Sequence, residues 1–251
     1  MKRKTAVFII FLLAAAGLIS AFIVIFFDQA VFLRRDTFYL GHVSEKVVAL
    51  TFDDGPSRKW TPLILEALKT KGVKATFFMI GEHVQKYPEV ARQVAFEGHD
   101  LGIHTFHHKN MVFVGEDELK KDIEDTQALI KEVTGKQTKL FRPPKAWLTQ
   151  GEKKRIRRWG FKTVLWNLNS KDWVTFDDKY MLKYLLAHVR PGDILLFHDS
   201  GGAFGIEGGN RQETVKAIPV LIDKLHQRGY RFVTVSELLE MDKENAKKQD
   251  L

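Results

Sequence analysis

Short runs of apolar, β-branched and aromatic residues recur along the chain: KVVALTF, VKATFFMI, DLGIHTF, TKLFR, FKTVLWNL, DILLFHD and YRFVTV. Runs of this length and composition, bounded by Gly, Pro, Asn or Asp, predict strands. Between them the apolar spacing turns helical. Leu119, Ile123, Thr126, Ile130 and Val133 line one face before Gly135, and Val215, Ile218, Ile222 and Leu225 do the same before Gly229. Thr61-Pro62 reads as the cap and first residue of another helix, with Ile64, Leu65 and Leu68 inward and Gly72 at its end. Alternating strands and helices predict a parallel sheet, either doubly wound or a barrel, and seven strands rather than eight would leave a barrel incomplete.

The opening of the chain follows neither period. After Met1-Lys2-Arg3-Lys4, the run from Ala6 to Phe27 carries no charge. At about 1.5 Å per residue it spans roughly 33 Å as a helix, enough for a hydrocarbon core of about 30 Å. It exceeds the apolar core of a cleaved signal peptide, about 7 to 15 residues, and no clear small-x-small site follows it. It therefore reads as an uncleaved, single-pass anchor. The basic cluster places the N-terminus in the cytoplasm and the rest outside. The organisation expected is a basic N-terminus (1–5), an anchor (6–27), a linker (28–43), a catalytic domain (44–240) and a polar, frayed tail (241–251). The roughly 20 residues between Phe27 and the first strand could reach about 60 Å if extended.

The formal net charge is +8, and removing Lys2, Arg3 and Lys4 leaves +5 for the exported part. That balance favours an anionic surface such as a cell wall or lipid headgroups, and nucleic acid is not a partner expected of an exported chain. The absence of cysteine is compatible with export, because a domain of this size does not need disulfides. A monomer is expected.

The chemistry-bearing residues fall just past the C-terminal ends of the predicted strands: Asp53 and Asp54, His104 and His108, Arg142, Asp172, and His198. In a barrel those ends converge on one face. An Asp-Gly after a strand makes a turn, but one carboxylate suffices for that, and two adjacent ones call for a compensating cation. His104 and His108, with one of Asp53 or Asp54, could hold a borderline metal such as zinc while leaving a position for water. The other aspartate could then act as base, held ionised by Arg142 of FRPPK. His198 could act as acid, oriented by Asp172, with Trp173 and Leu196 as an apolar wall.

TFDDG, HTFHH, FRPPK, NSKDW and DILLFHD, in this order, resemble the five motifs of the polysaccharide deacetylase family, also called the NodB-homology domain or carbohydrate esterase family four. The resemblance covers about residues 46–239 and implies an incomplete (β/α)7 barrel that removes N-acetyl groups, sometimes O-acetyl groups, from sugar polymers such as peptidoglycan or chitin with a divalent metal, zinc or cobalt. Carried over, it makes Asp53 the base; Asp54, His104 and His108 the metal ligands; Arg142 the residue positioning Asp53; Asp172 the residue orienting His198; and Trp173 with Leu196 the acetyl pocket. Where the family has Arg-Pro-Pro-Tyr-Gly, this chain has RPPKA, so the backbone N–H of Lys145 takes the oxyanion place. The segment GGAFGIEGG after Asp199 looks inserted.

A glycosidase is excluded by the adjacency of Asp53 and Asp54, because its carboxylates must face each other across the scissile bond at about 5 Å or more. Two rival functions are a non-catalytic wall-binding barrel and a hydrolase of small cyclic amides. The wall-binding barrel would be expected to lack a metal ligand or His198, and the cyclic-amide hydrolase would not need an anchor.

Overall fold

A computed structural model describes residues 2–27, 30–174, 177–201 and 209–249, with the side chains of residues 2–4, 20, 21, 23–27, 113 and 249 left aside. The fold is α/β. Eight parallel strands, β1 (Val47–Asp53), β2 (Thr76–Met79), β3 (Asp100–Ile103), β4 (Leu140–Phe141), β5 (Lys162–Thr163), β6 (Leu168–Asn169), β7 (Ile194–His198) and β8 (Arg231–Val233), make one sheet. Seven of them run in the order β5-β4-β3-β2-β1-β7-β6, and β8 pairs with the start of β1. Each predicted apolar run yields a strand, but FKTVLWNL yields two, β5 and β6. These two form the edges of the sheet, so the barrel is incomplete between them.

Strand periodicity sorts the core into two layers. Val48, Leu50 and Phe52 of β1 face the outer cluster, with Phe77, Leu101, Phe141 and Phe197 of neighbouring strands and the apolar faces of the helices. Val47 and Ala49 face the inner cluster, with Phe78, Leu140, Trp166, Ile194 and Leu196. Extending the alternation puts Thr51 and Asp53 at the top of the inner column of β1, and His198 on that of β7 one step above Leu196. Asp53 and His198 are register partners. The helices that cover the outer face include α3 (Trp60–Thr70), α4 (Gly81–Lys86), α5 (Pro88–Phe96), α6 (Glu116–Thr134), α7 (Gln150–Arg158), α8 (Asp178–His188) and α9 (Gln212–Gln227). Gly135 ends α6 in the left-handed conformation (φ 72°), where the spacing predicts its end.

Three sequence expectations change in the structure. Thr61 is not the cap of α3: the Ser57 hydroxyl accepts from the N–H groups of Trp60 (2.9 Å) and Thr61 (3.1 Å), which frees the Thr61 hydroxyl for a tertiary bond. The segment before β1 is fastened to the barrel rather than extended. Ala30, in α2 (Ala30–Leu33), and Phe38 join the inner cluster. Phe38 bridges to Val164 and Leu40 to Asp193 beside the β5–β6 gap. The C-terminal residues do not fray after 240, because α10 (Val235–Gln249) continues through them and Asp242 accepts from the His42 N–H at 2.6 Å.

Helix α1 (Lys2–Phe27) exposes residues 7–13, Leu18, Ile19 and Phe22, and among the described residues no helix is long and apolar enough to cross a membrane.

Candidate active site and metal centre

Asp53, at the last position of the buried central strand, points into the barrel beneath its mouth. Arg142, fully buried, reaches it from the end of β4: Nη1 donates to Asp53 Oδ1 at 2.7 Å and to the Thr51 hydroxyl at 2.8 Å. Nε and Nη2 donate to the carbonyls of Val164 (3.3 Å) and Leu165 (3.2 Å). The guanidinium lies 4.0 Å from the centre of the Phe78 ring. A buried arginine is tolerable only when its donors are satisfied and a carboxylate balances its charge, and Arg142 meets both conditions.

One residue later the chain turns. Asp54 adopts φ 75°, and His83 Nδ1 contacts its carbonyl at 2.6 Å. The turn throws the Asp54 carboxylate away from Arg142 and towards two imidazoles: Oδ1 lies 3.3 Å from Nε2 of His104 and 3.3 Å from Nε2 of His108. The three ligand atoms lie within 4.8 Å of one another, and Asp54 Oδ1 is buried without a hydrogen-bond partner. His104 Nδ1 meets the Arg142 carbonyl at 2.8 Å, and a carbonyl can only accept, so Nδ1 carries a proton. In the neutral ring Nε2 then turns a lone pair towards a carboxylate oxygen. Two acceptors and an unsatisfied third around one point fit a divalent cation. Burial opposes the charge on Asp54, but His108, His104 and His198 outweigh it and hold the carboxyl well below the usual range. Burial also disfavours imidazolium at both histidines; Asp53 and Asp54 overcome it at His104, whereas His108 stays below the ordinary imidazole range.

Across the mouth, Asp172 and His198 form a second pair. Asp172 Oδ1 meets His198 Nδ1 at 2.7 Å, and Oδ2 accepts from the His198 backbone N–H (2.8 Å) and the Thr214 hydroxyl (2.9 Å). Burial opposes both charges, yet each stabilises the other, so Asp172 is lowered and His198 raised. Leu196 is 2 % exposed within the inner cluster, and Trp173 is half-buried one residue after Asp172. Lys145 and Ala146 both take positive φ, 56° and 60°, in the Pro144–Ala146 turn. That places Lys145, with its side chain exposed, at the rim above Arg142. The inserted-looking loop lies largely outside the described residues.

Arg211, Thr214 and His83 escape a reading of motifs, and Asp199, the last residue of DILLFHD, receives no role from one. Arg211, buried, donates to the carbonyls of Ser200 (2.9 Å), Asp172 (3.3 Å) and Gly201 (2.8 Å). Thr214 holds Asp172, and His83 holds the Asp54 turn. Asp199 is buried beside the site, with Oδ2 accepting from the Thr61 hydroxyl at 2.5 Å and Oδ1 unpartnered. Burial, with Asp54 and Asp53 nearby, pushes its carboxyl up to about 7. Gly201 must be glycine, because a Cβ there would stand 2.1 Å from Asp54 Oδ2 and φ is 72°. The available sequence signals were Thr214, just before the helical spacing that begins at Val215, and the acid that follows His198.

Residues 41–164 match the family described as Polysaccharide deacetylase. A Peptidoglycan-N-acetylglucosamine deacetylase of Bacillus cereus is 36% identical over 215 residues, covering 82% of this chain and 97% of the relative. The chain belongs to the polysaccharide deacetylase family. Peptidoglycan-N-acetylmuramic acid deacetylase PdaA of Bacillus subtilis is 30% identical over 210 residues, covering 82% of this chain and 76% of its own. Among solved structures, the Bc1960 peptidoglycan N-acetylglucosamine deacetylase superposes with a TM-score of 0.76 at 33% identity, over 81% of this chain and 92% of that one. BA3943, described as a CE4 family pseudoenzyme from Bacillus anthracis, gives 0.73 at 28% identity, over 80% and 68%. The family thus contains members that differ in activity on one scaffold, and the site has to decide.

Proposed function

We propose that this protein hydrolyses N-acetyl groups of peptidoglycan, on N-acetylglucosamine or N-acetylmuramic acid, releasing acetate and leaving the free amine on the polymer. The observation that carries the reading is the Asp54–His104–His108 cluster beside an aspartate that an arginine holds apart from it. The relatives acting on peptidoglycan supply the substrate class. The full residue set argues against a wall-binding barrel without activity.

Asp54, His104 and His108 would hold a divalent cation, zinc or cobalt by ligand type, which would supply Lewis acidity towards the acetyl carbonyl and towards water. Asp53 takes the proton from the attacking water, and Arg142 holds its carboxylate in place. The Lys145 backbone N–H faces the oxygen on which charge develops. His198, raised and oriented by Asp172, gives its proton to the amide nitrogen as the C–N bond breaks. Trp173 and Leu196 bound the space for the acetyl methyl.

The uncharged run from Ala6 to Phe27, behind Lys2, Arg3 and Lys4, supports an uncleaved membrane anchor with the N-terminus in the cytoplasm and the barrel, as a monomer, outside. Mass analysis of muropeptides after digestion with the purified chain tests the activity: loss of one acetyl mass per modified sugar is expected, its position naming the sugar. No mass change with metal-loaded protein would overturn the reading.

A further inference from the structure

We propose that the barrel wall formed by α2 and α7 beside the β5–β6 gap docks on an anionic phospholipid surface. The inference rests on the proposed anchor and adds where the domain sits. Three virtual bonds separate Phe27 from Ala30, a reach of about 11 Å. Ala30 is fully buried in the inner cluster. The wall at Ala30 is therefore no farther than that from the end of the apolar run.

The chain beyond gives no slack. Arg34 donates through Nε to the Trp166 carbonyl (3.2 Å) and through Nη2 to that of Asn167 (3.1 Å). Lys153 of α7 donates to the carbonyls of Leu33 (2.5 Å) and Arg35 (3.0 Å). This ties α7 to the point where the chain meets the barrel.

The surface around that point has the composition of a membrane interface. Phe32 is 66% exposed on α2, Arg35 is exposed just after it, and Lys154, Arg157 and Arg158 are exposed on α7, which Lys153 ties there. Arg157 follows Lys153 by one helical turn and so extends the side of α7 that faces the exit, with Lys154 on the adjoining side and Arg158 one turn beyond it. Arg155, on another side, is paired with Glu116 at 2.9 Å. The acids nearby are spent or few: Glu152 is buried in the capping box of α7, and Asp36 lies 3.9 Å from Arg35. An exposed aromatic beside a surplus of exposed cations suits the headgroup layer, where the ring lies among acyl carbonyls and the cations meet phosphates. Since α2 packs against the Pro144–Ala146 turn, docking also brings the Lys145 side of the mouth near the bilayer. The polymer it would meet first is membrane-proximal.

The chain has no cysteine, so single labels can be introduced cleanly. The full chain, reconstituted in vesicles of phosphatidylcholine with or without phosphatidylglycerol, would carry a fluorophore at Gln150→Cys on the Lys153 and Lys154 side of α7 or at Leu63→Cys on α3. A headgroup-borne quencher reports proximity. Quenching at 150 should exceed that at 63 at least threefold with phosphatidylglycerol present. It should fall to the level of 63 in the Lys154→Glu/Arg157→Glu/Arg158→Glu variant. Equal quenching at both sites, or no response to the charge reversal, would overturn the docking while the anchor stands. Release of the whole chain by alkaline wash would overturn the anchor and the docking with it.

Discussion

The two sides of the mouth solve the problem of holding a carboxylate in different ways. On the metal side, Asp53 and Asp54 sit at the end of the central strand, and Arg142 spans the barrel interior to reach Asp53 from a strand that is not its neighbour. On the acid side, Asp172 sits in a loop and is held by short-range partners: the backbone and ring of His198, and Thr214 at the start of α9. The other buried arginine, Arg211, binds only carbonyls. The difference is between a carboxylate met by a permanently charged arginine across the core and one met by a neighbouring histidine and hydroxyl. The first should be costly to break in folding, and the second should be felt in catalysis with less cost in stability.

The largest effects belong to the metal side. His104→Ala and Asp54→Ala should take bound metal from one equivalent to near zero and lower acetate release at least 10³-fold, whereas Asp53→Asn should keep the metal and lose comparable activity. Elemental analysis with the kinetics checks this, and loss of metal from Asp53→Asn would show that the two aspartates have exchanged roles. Arg142→Met should cost about 3–5 kcal/mol in urea unfolding because it strands Asp53 in the interior. Arg211→Met should cost less, about 1–3 kcal/mol, since it leaves carbonyls rather than a carboxylate unpaired. Equal costs would erase the contrast.

On the acid side, Asp172→Asn should lower kcat about 10²-fold. It should also move the alkaline limb of the pH profile to lower pH: His198 must be protonated to act, and the Asp172 charge is the main influence that raises it. A limb that stays in place would mean that another group donates the proton. Thr214→Val should cost roughly tenfold with KM little changed, and Thr214→Ser should restore activity, because only the hydroxyl touches Asp172.

The smallest effect is Asp199. Its carboxyl is raised to about 7 in the folded state, so the folded protein holds a proton that the unfolded chain releases near pH 4. The stability tied to that proton is complete below about pH 4 and is lost as pH rises through about 7. In metal-free protein, thermal unfolding of Asp199→Asn relative to the parent should therefore improve from pH 5 to pH 8. A constant difference would show that Asp199 is ionised throughout.

What the sequence determined by itself is local. KVVALTF reads as a buried strand whose alternation puts Asp53 on one face with Val47, Ala49 and Thr51, and the five motifs after strand ends mark the mouth before any contact is known. Side-chain type made His104 and His108, with one of Asp53 or Asp54, a metal set, and the family resemblance chose Asp54. Tertiary structure decided the rest, because those residues depend on distances along no single element. Arg211 and Thr214 carry no motif and acquire meaning only where α9 meets the loop of Asp172. FKTVLWNL reads as one strand, yet pairs with β4 at one end and β7 at the other and so breaks to span the gap. Residues 30–43 look like a tether because the charged RRD splits their apolar residues into pieces too short to read as a strand or an amphipathic helix. Ala30 and Phe38 are recruited individually by an opening in the barrel that exists only once the sheet has curved.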